Sequence, residues 1–249
     1  MGKVKESLVP FVGTLGGLNF YFLDGKYTVR KAGGGFSARV HKKSPRIQEN
    51  KSEFALAAQP NKDLRRALNP LTQNFKIPYL HSRLQGALLR FRKFTPAKRG
   101  ERDVYQSLVT EQGLQALQAF DYTPLCPMEV GLPYTVTYDE TTATLVLSTP
   151  EASLLKAPKG ATHLKIRMTV ICPNAERKEI DSYPSLETML DLKALPEELA
   201  LRPEKQPHTQ DPFLVYLRVW FYSEDNNRMV GLKTKEALGL WCVGYGVNP

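Results

Sequence analysis

Histidine is the commonest metal ligand and a frequent acid–base catalyst in proteins. The four histidines of this chain lie far apart in the sequence. None of them belongs to a recognisable zinc motif. The sequence also lacks a Gly-x-Ser-x-Gly elbow, a His-Glu-x-x-His pair and a Rossmann glycine pattern. We therefore predict no catalytic, cofactor-binding or metal-binding residue and no enzymatic activity. The four histidines are His41, His81, His163 and His208.

Carboxylates are the next candidates for acid–base chemistry. Asp139 and Glu140 are adjacent, and Asp181 and Glu187 are further candidates. Sequence separation cannot show that two carboxylates meet in space, and no local motif marks any of the four. We interpret them as solvated surface groups.

The three cysteines form an odd, widely spaced set in or beside apolar runs. This pattern is typical of buried free thiols and not of a disulfide framework. Residues 1–17 show no secretory signal pattern, and no run approaches 18 apolar residues. Cytoplasmic residence and the absence of a transmembrane segment are therefore expected, and export without a classical signal peptide stays open. The cysteines are Cys126, Cys172 and Cys242.

Charge is distributed unevenly along the 249 residues, whose formal net charge is +9. Residues 1–105 contain 21 Lys and Arg against 7 Asp and Glu, and the rest contain 13 against 18. The first region is thus +14 and the second −5. A basic region favours an anionic partner: nucleic acid, an acidic protein surface or lipid headgroups. The alternative is that the acidic region of the same chain neutralises it.

The strongest local pattern is a β-hairpin. Asp24-Gly25 stands between two β-prone runs, as expected of a two-residue type I′ turn. This register predicts one apolar, aromatic face and one mostly polar face. The predicted pairs are Phe20 with Val29 and Phe22 with Tyr27 on the first face, and Tyr21 with Thr28 and Asn19 with Arg30 on the second. The apolar face needs a cover, from this chain or from another.

A helical segment and then a β-rich region are expected to follow. Gly33-Gly34-Gly35 indicates a flexible joint, and Ser52 indicates the start of a helix. Pro60 is expected to interrupt this helix, and Asn61 to cap a second helical piece. A further helix is predicted at 78–94. Beyond residue 100, alternating segments predict strands near 128–138, 142–148, 161–172, 213–222 and 237–247, with one short helix at 185–193. The predicted class is α+β: a hairpin and basic connector (1–49), a helical segment (50–100) and an antiparallel β-sandwich (101–249).

Five segments resemble a family of Bacteroidota proteins that have no assigned activity: Gly13–Tyr21, Asp24–Tyr27, Asn50–Phe54, Gly160–His163 and Trp220–Tyr222. The shared motifs are a hairpin, a helix start and strands, so the resemblance transfers no catalytic residue. The chain departs from the family at Pro60. In general type it is also similar to the soluble subunit that plugs the type IX secretion translocon, which implies a subunit of a secretion or envelope complex.

These observations favour a non-catalytic interaction or assembly protein, whose partner is another protein or a second subunit. Nucleic-acid binding through the basic region is the alternative, because aromatic and basic residues alternate there. Arg65 and Arg66 would join the basic set in that case. The candidate partner-binding residues are Phe20, Phe22, Tyr27, Val29, Arg30, Lys42, Lys43, Arg46, Arg90, Arg92 and Lys93.

Overall fold

The computed structural model divides the chain into two units, Met1–Gln48 and Glu49–Pro249. It describes residues 2–3, 11–23, 25–33, 44–151, 153–207, 211–226 and 228–247. Lys42 and Lys43, like His41 and His208, lie outside the described residues.

The first unit contains a four-stranded antiparallel sheet, and the hairpin expected from the sequence forms its centre. The strand order is β1-β4-β3-β2. All four predicted cross-strand pairs are present, including Phe22 opposite Tyr27 and Phe20 opposite Val29. The strands are β1 (Gly2–Lys3), β2 (Gly13–Leu15), β3 (Leu18–Leu23) and β4 (Lys26–Lys31).

Helices make up the first part of the second unit, and the longest of them begins just before it. The predicted helix near 78–94 is confirmed as α3 with a 3₁₀ turn at Arg92–Phe94. The helices are α1 (Pro45–Ala67), α2 (Asn69–Thr72), α3 (Leu80–Phe91), α4 (Val104–Leu108), α5 (Glu111–Gln118) and α6 (Met128–Gly131).

The expected break at Pro60 is wrong, because α1 runs through it. An interior proline costs a helix about 3 kcal/mol, since it has no N–H and its ring crowds the preceding turn. Here Pro60 and Asn61 are buried, and the Asn61 amide donates to Gln85 Oε1 at 2.7 Å and to the His81 carbonyl at 3.1 Å on α3. Asn61 is therefore an interior residue that ties two helices together, not a helix cap.

Nine strands follow in the described part of the second unit. A six-stranded antiparallel sheet has the path β12-β11-β7-β8, with β13 also pairing β11 and β9 pairing β7, and a smaller sheet has the order β10-β6-β5. The strands are β5 (Thr135–Asp139), β6 (Thr144–Ser148), β7 (His163–Asn174), β8 (Glu179–Pro184), β9 (Thr188–Asp191), β10 (Glu198–Leu201), β11 (Phe213–Asp225), β12 (Arg228–Gly231) and β13 (Leu238–Gly246).

Three further local predictions are wrong. Ser52 does not begin a helix, and its hydroxyl instead bonds the Gly100 carbonyl at 2.6 Å. The helix expected at 185–193 is strand β9, which extends the sheet beside β7. The strand expected from residue 128 begins only at Thr135, after the short helix α6. In the first two cases contacts distant in sequence override a weak local preference.

The second unit builds its core on both faces of the long sheet. One face packs against the helices through residues such as Leu214 and Tyr216, and the other packs against the smaller sheet through residues such as Val215 and Leu217. The sheets curl into a half-barrel, and the predicted α+β class is confirmed. All three cysteines are free and buried, as expected. Among the described helices, none is long and apolar enough to span a membrane.

Candidate functional site

A tight turn at Gly16-Gly17 determines how β2 joins the sheet of the first unit. Gly16 and Gly17, between β2 and β3, both have positive φ, +56° and +74°. A two-residue type I′ turn needs such angles, which glycine adopts without the steric cost of a Cβ. The turn places Leu15 directly opposite Leu18.

Because side chains alternate along each strand, the apolar residues at every second position lie on the same side of the sheet. Phe22 and Tyr27 meet edge to face with ring centroids 5.0 Å apart, and Phe11 meets Phe20 in the same way at 5.5 Å. Such geometry is favourable for aromatic pairs. We call this side the aromatic face; its residues are Phe11, Leu15, Leu18, Phe20, Phe22, Tyr27 and Val29.

Much of the aromatic face is open to solvent. The exposed fraction is 66% for Leu15, 56% for Phe22, 43% for Phe11 and 40% for Leu18. Single exposed apolar residues are common on protein surfaces, whereas a contiguous group of them is typical of an interaction site. The exposure and the grouping together make this face the candidate site.

The opposite side of the sheet has a different chemistry. Thr28 is buried there, and the Arg30 guanidinium lies 5.6 Å from the centre of the Tyr21 ring. The Thr14 hydroxyl and the Asn19 side chain share a hydrogen bond on this side. Arg30, a predicted partner-binding residue, therefore does not lie on the aromatic face.

The unit that bears the aromatic face is strongly basic. Residues 1–48 contain nine Lys and Arg and two carboxylates, Glu6 and Asp24, so their net charge is +7. Three cations are exposed on β4: Lys31 lies on the aromatic side, opposite Leu18, and Lys26 and Arg30 lie on the other side. An apolar surface with a cationic surround is complementary to an apolar surface with an acidic surround.

The other predicted basic residues are separated by the fold. Arg46 is exposed in the first turn of α1 and belongs to the first unit. Arg90 and Lys93 are exposed at the end of α3, in the second unit. Arg92 is already engaged, because its guanidinium lies 2.7 Å from Oε2 of the buried Glu53. Within the described part of the chain, Arg90 and Lys93 have no ion-pair partner.

The candidate carboxylates are held by neighbouring groups. The Thr142 hydroxyl and the Thr141 N–H lower the pKa of Asp139. Burial raises the pKa of Glu187, but hydrogen bonds from Arg218 and Lys165 outweigh it and leave that pKa below its ordinary value.

The remaining candidates show no ligand cluster. The Asp181 carboxylate binds Arg177 at 2.8 Å. His81 meets the Asn61 amide at 3.2 Å, and His163 meets the Thr162 hydroxyl at 2.9 Å. In the described ranges no group of three or more His, Cys, Asp or Glu could hold a metal ion.

Sequence reasoning missed three members of the aromatic face: Phe11, Leu15 and Leu18. The signal was Gly16-Gly17, a glycine pair between two short apolar runs, which predicts a second tight turn. That turn adds β2 to the hairpin and carries Leu15 to the side where Leu18 and Phe20 lie.

Comparison of the chain with protein-family models, with curated proteins and with solved structures finds no match.

Proposed function

We propose that this protein is a non-catalytic interaction or assembly protein, and that the aromatic face of its first unit docks on another protein. The observation that supports the proposal is the exposure of Phe11, Leu15, Leu18 and Phe22 on one side of one small sheet. Removing these side chains from water is the driving force for association. The partner surface is apolar at its centre and acidic at its edge.

The magnitude of this driving force indicates the kind of interface. Full burial of a Leu or Phe side chain stabilises by about 1.5–3 kcal/mol, so four side chains that are roughly half exposed contribute about 3–6 kcal/mol. Association itself costs at least about 4 kcal/mol in lost freedom. The apolar contact therefore leaves little surplus free energy. Lys31, which lies opposite Leu18 on the aromatic side of the sheet, adds attraction for an acidic partner and raises the rate of encounter.

Two neighbouring residues of β3 provide a matched test. Phe22 belongs to the aromatic face, and Leu23 points to the opposite side with a similar exposed fraction, 45% against 56%. The full chain, Phe22→Ser and Leu23→Ser are each immobilised in equal amounts and exposed to an extract of the native cells. Bound proteins are quantified by mass spectrometry, and light scattering measures self-association in parallel.

We expect Phe22→Ser to lower the recovery of a specific partner, or the fraction of a self-associated species, at least about tenfold. Leu23→Ser is expected to change it less than twofold. Equal effects of the two substitutions would refute docking through this face. So would unchanged assembly and capture after deletion of residues 1–35 from a chain that retains its circular dichroism spectrum.

Nucleic-acid binding is the second candidate, favoured by the exposed Arg90 and Lys93 at the end of α3. Its affinity would fall steeply with salt, because phosphate contacts release counterions. A gel-shift series with single- and double-stranded oligonucleotides at low salt tests it, with the double variant Arg90→Gln/Lys93→Gln as the probe. Retention of the shift by Phe22→Ser and its loss in the double variant would favour this function over protein docking.

A further inference from the structure

The second unit carries a separate feature, an apolar cavity of about 280 Å³ between the loop before α3 and the segment at 123–125. Phe75, Ile77, Tyr79, Pro124 and Leu125 form most of its wall. The volume lies just below the range of about 300–1,000 Å³ typical of sites for drug-sized ligands. A matching ligand is therefore small, with one ring or a short chain as its apolar body.

Two large apolar side chains of the cavity wall are exposed to solvent. Tyr79 is 60% exposed and Leu125 is 53% exposed, and both line the cavity. Tyr79 also has a left-handed backbone, with φ of +56°. A residue with a Cβ seldom adopts this conformation, and such strain is found preferentially at binding sites.

Two cations line the cavity and no carboxylate does. The Arg83 guanidinium donates to the carbonyl oxygens of Asp121 and Tyr122 at 2.6 and 2.7 Å. The guanidinium also lies 5.6 Å from the centre of the Phe120 ring. These neighbours carry no net charge, so they orient the group without forming an ion pair. Lys235, which is exposed, also lines the cavity. In the part of the chain that the structure describes, neither cation forms an ion pair.

The start of α3 adds to this positive field. Tyr79 is the N-cap residue of the twelve-residue helix, its side chain does not cap the helix, and the first turn contains no acidic residue. The N-terminal end of a helix carries a partial positive charge. An anionic group at the mouth of the cavity would therefore face the helix end and the two cations together.

We propose that this cavity binds a small monocarboxylic acid, whose apolar body enters the pocket and whose carboxylate is held at the rim by Lys235 and Arg83. The apolar wall and the limited volume select the body. The two unpaired cations select the charge and exclude amines. This site is independent of the aromatic face, because every residue that lines it belongs to the second unit.

Three probes of the same shape test the charge preference on the intact chain: 3-phenylpropanoate, 3-phenylpropanol and 3-phenylpropylamine. Binding is followed by two-dimensional amide NMR, which also locates the site. We expect the acid to bind at least about tenfold more tightly than the alcohol, because a charge-assisted contact replaces a neutral one, and we expect the amine not to bind. Shifts should centre on residues 75–83, 123–125 and 235.

Matched variants test the residues. Lys235→Gln should weaken binding of the acid about three- to tenfold and leave binding of the alcohol unchanged, whereas Lys233→Gln, also exposed but not part of the cavity, should change neither. Leu125→Glu should abolish binding of both, whereas Leu154→Glu, an equally exposed leucine elsewhere, should not.

Several outcomes would overturn the proposal. Equal affinity for the acid and the alcohol would reduce the site to an apolar pocket without charge selection. No shift at 10 mM acid, or shifts centred elsewhere, would remove the site altogether. Tenfold tighter binding of N-acetylphenylalanine than of 3-phenylpropanoate would assign the cavity to a peptide C-terminus instead. None of these results bears on docking through the aromatic face, which Phe22→Ser tests separately.

Discussion

Two tyrosines in the core of the second unit form a hydrogen-bonded pair in which one hydroxyl has a second hydrogen-bond partner and the other does not. The hydroxyl groups of Tyr122 and Tyr216 lie 2.7 Å apart, and both side chains are fully buried. The Tyr122 hydroxyl donates to the Leu117 carbonyl at 3.2 Å. A hydroxyl has one proton, so Tyr122 must accept from Tyr216, and Tyr216 donates only to Tyr122.

This direction predicts different costs for the two phenylalanine variants. Tyr216→Phe removes a donor and leaves Tyr122 bonded to Leu117, a loss of about 1 kcal/mol. Tyr122→Phe leaves the buried Tyr216 hydroxyl without a partner and costs about 2–3 kcal/mol. The Leu117 carbonyl keeps the Phe120 N–H at 3.2 Å, so it adds little. Both variants retain the ring contact, in which the centroids lie 5.2 Å apart.

Urea unfolding followed by circular dichroism measures the free energy of unfolding for the native chain, both single variants and the double variant. Once Tyr216 has become phenylalanine, Tyr122→Phe no longer leaves a donor unpaired. The double variant should therefore cost about 1–2 kcal/mol less than the sum of the single variants. A Tyr216→Phe variant that costs as much as Tyr122→Phe, or additive costs, would refute the assigned direction.

Three further predictions concern other parts of the chain. Burial raises the pKa of the three cysteine thiols to about 11 or 12, whereas unfolded thiols ionise near pH 8.5. Because the unfolded chain loses these protons first, the free energy of unfolding should fall as pH rises above about 9. A urea midpoint that stays constant between about pH 8 and 11 would contradict this prediction. Glu187→Ala removes the carboxylate that lies 2.7 Å from the buried Arg218 and should lower the free energy of unfolding by about 2–4 kcal/mol. Glu204→Ala, which removes a more exposed carboxylate, should cost under about 1 kcal/mol in the same urea assay, and equal losses would contradict the role of burial. Gly17→Ala places a Cβ at φ of +74° and should destabilise the first unit by about 1–2 kcal/mol. This loss should appear as faster amide hydrogen exchange in β3, with Gly33→Ala as the control. Equal exchange rates in the two variants would contradict the assigned role of the Gly16-Gly17 turn.

The parts of the fold that the sequence predicts well are those governed by local rules. Asp24-Gly25 determines the register of the hairpin because a two-residue turn leaves one pairing. The β11 strand is recognisable because Phe213–Tyr222 is an apolar run interrupted only by Arg218, and every residue of it is buried. The failures at Pro60 and β9 arise where packing against distant residues outweighs local preference, which no single segment reveals.

The two candidate sites differ in how far the sequence predicts them. Phe20, Phe22, Tyr27 and Val29 follow from the alternation of a strand, so four of the seven residues of the aromatic face could be predicted directly. The cavity could not, because its walls come from three segments separated by about 40 and 110 residues along the chain. Neither Leu125 nor Lys235 stands in a local pattern that distinguishes it from any other exposed residue.

The structure also bears on the choice between a basic region that the chain neutralises itself and one that faces a partner. Within the second unit, cations of 49–105 pair with carboxylates of the same segment: Arg92 and Arg102 with Glu53, and Arg99 with Glu49. Among the described residues, no ion pair joins a cation of this segment to a carboxylate of 106–249. These acidic groups pair instead with their own neighbours, as Asp181 does with Arg177. The ion pair between Lys178 and Asp103 does join the two segments, but it uses a carboxylate of the basic segment and a cation of the acidic one.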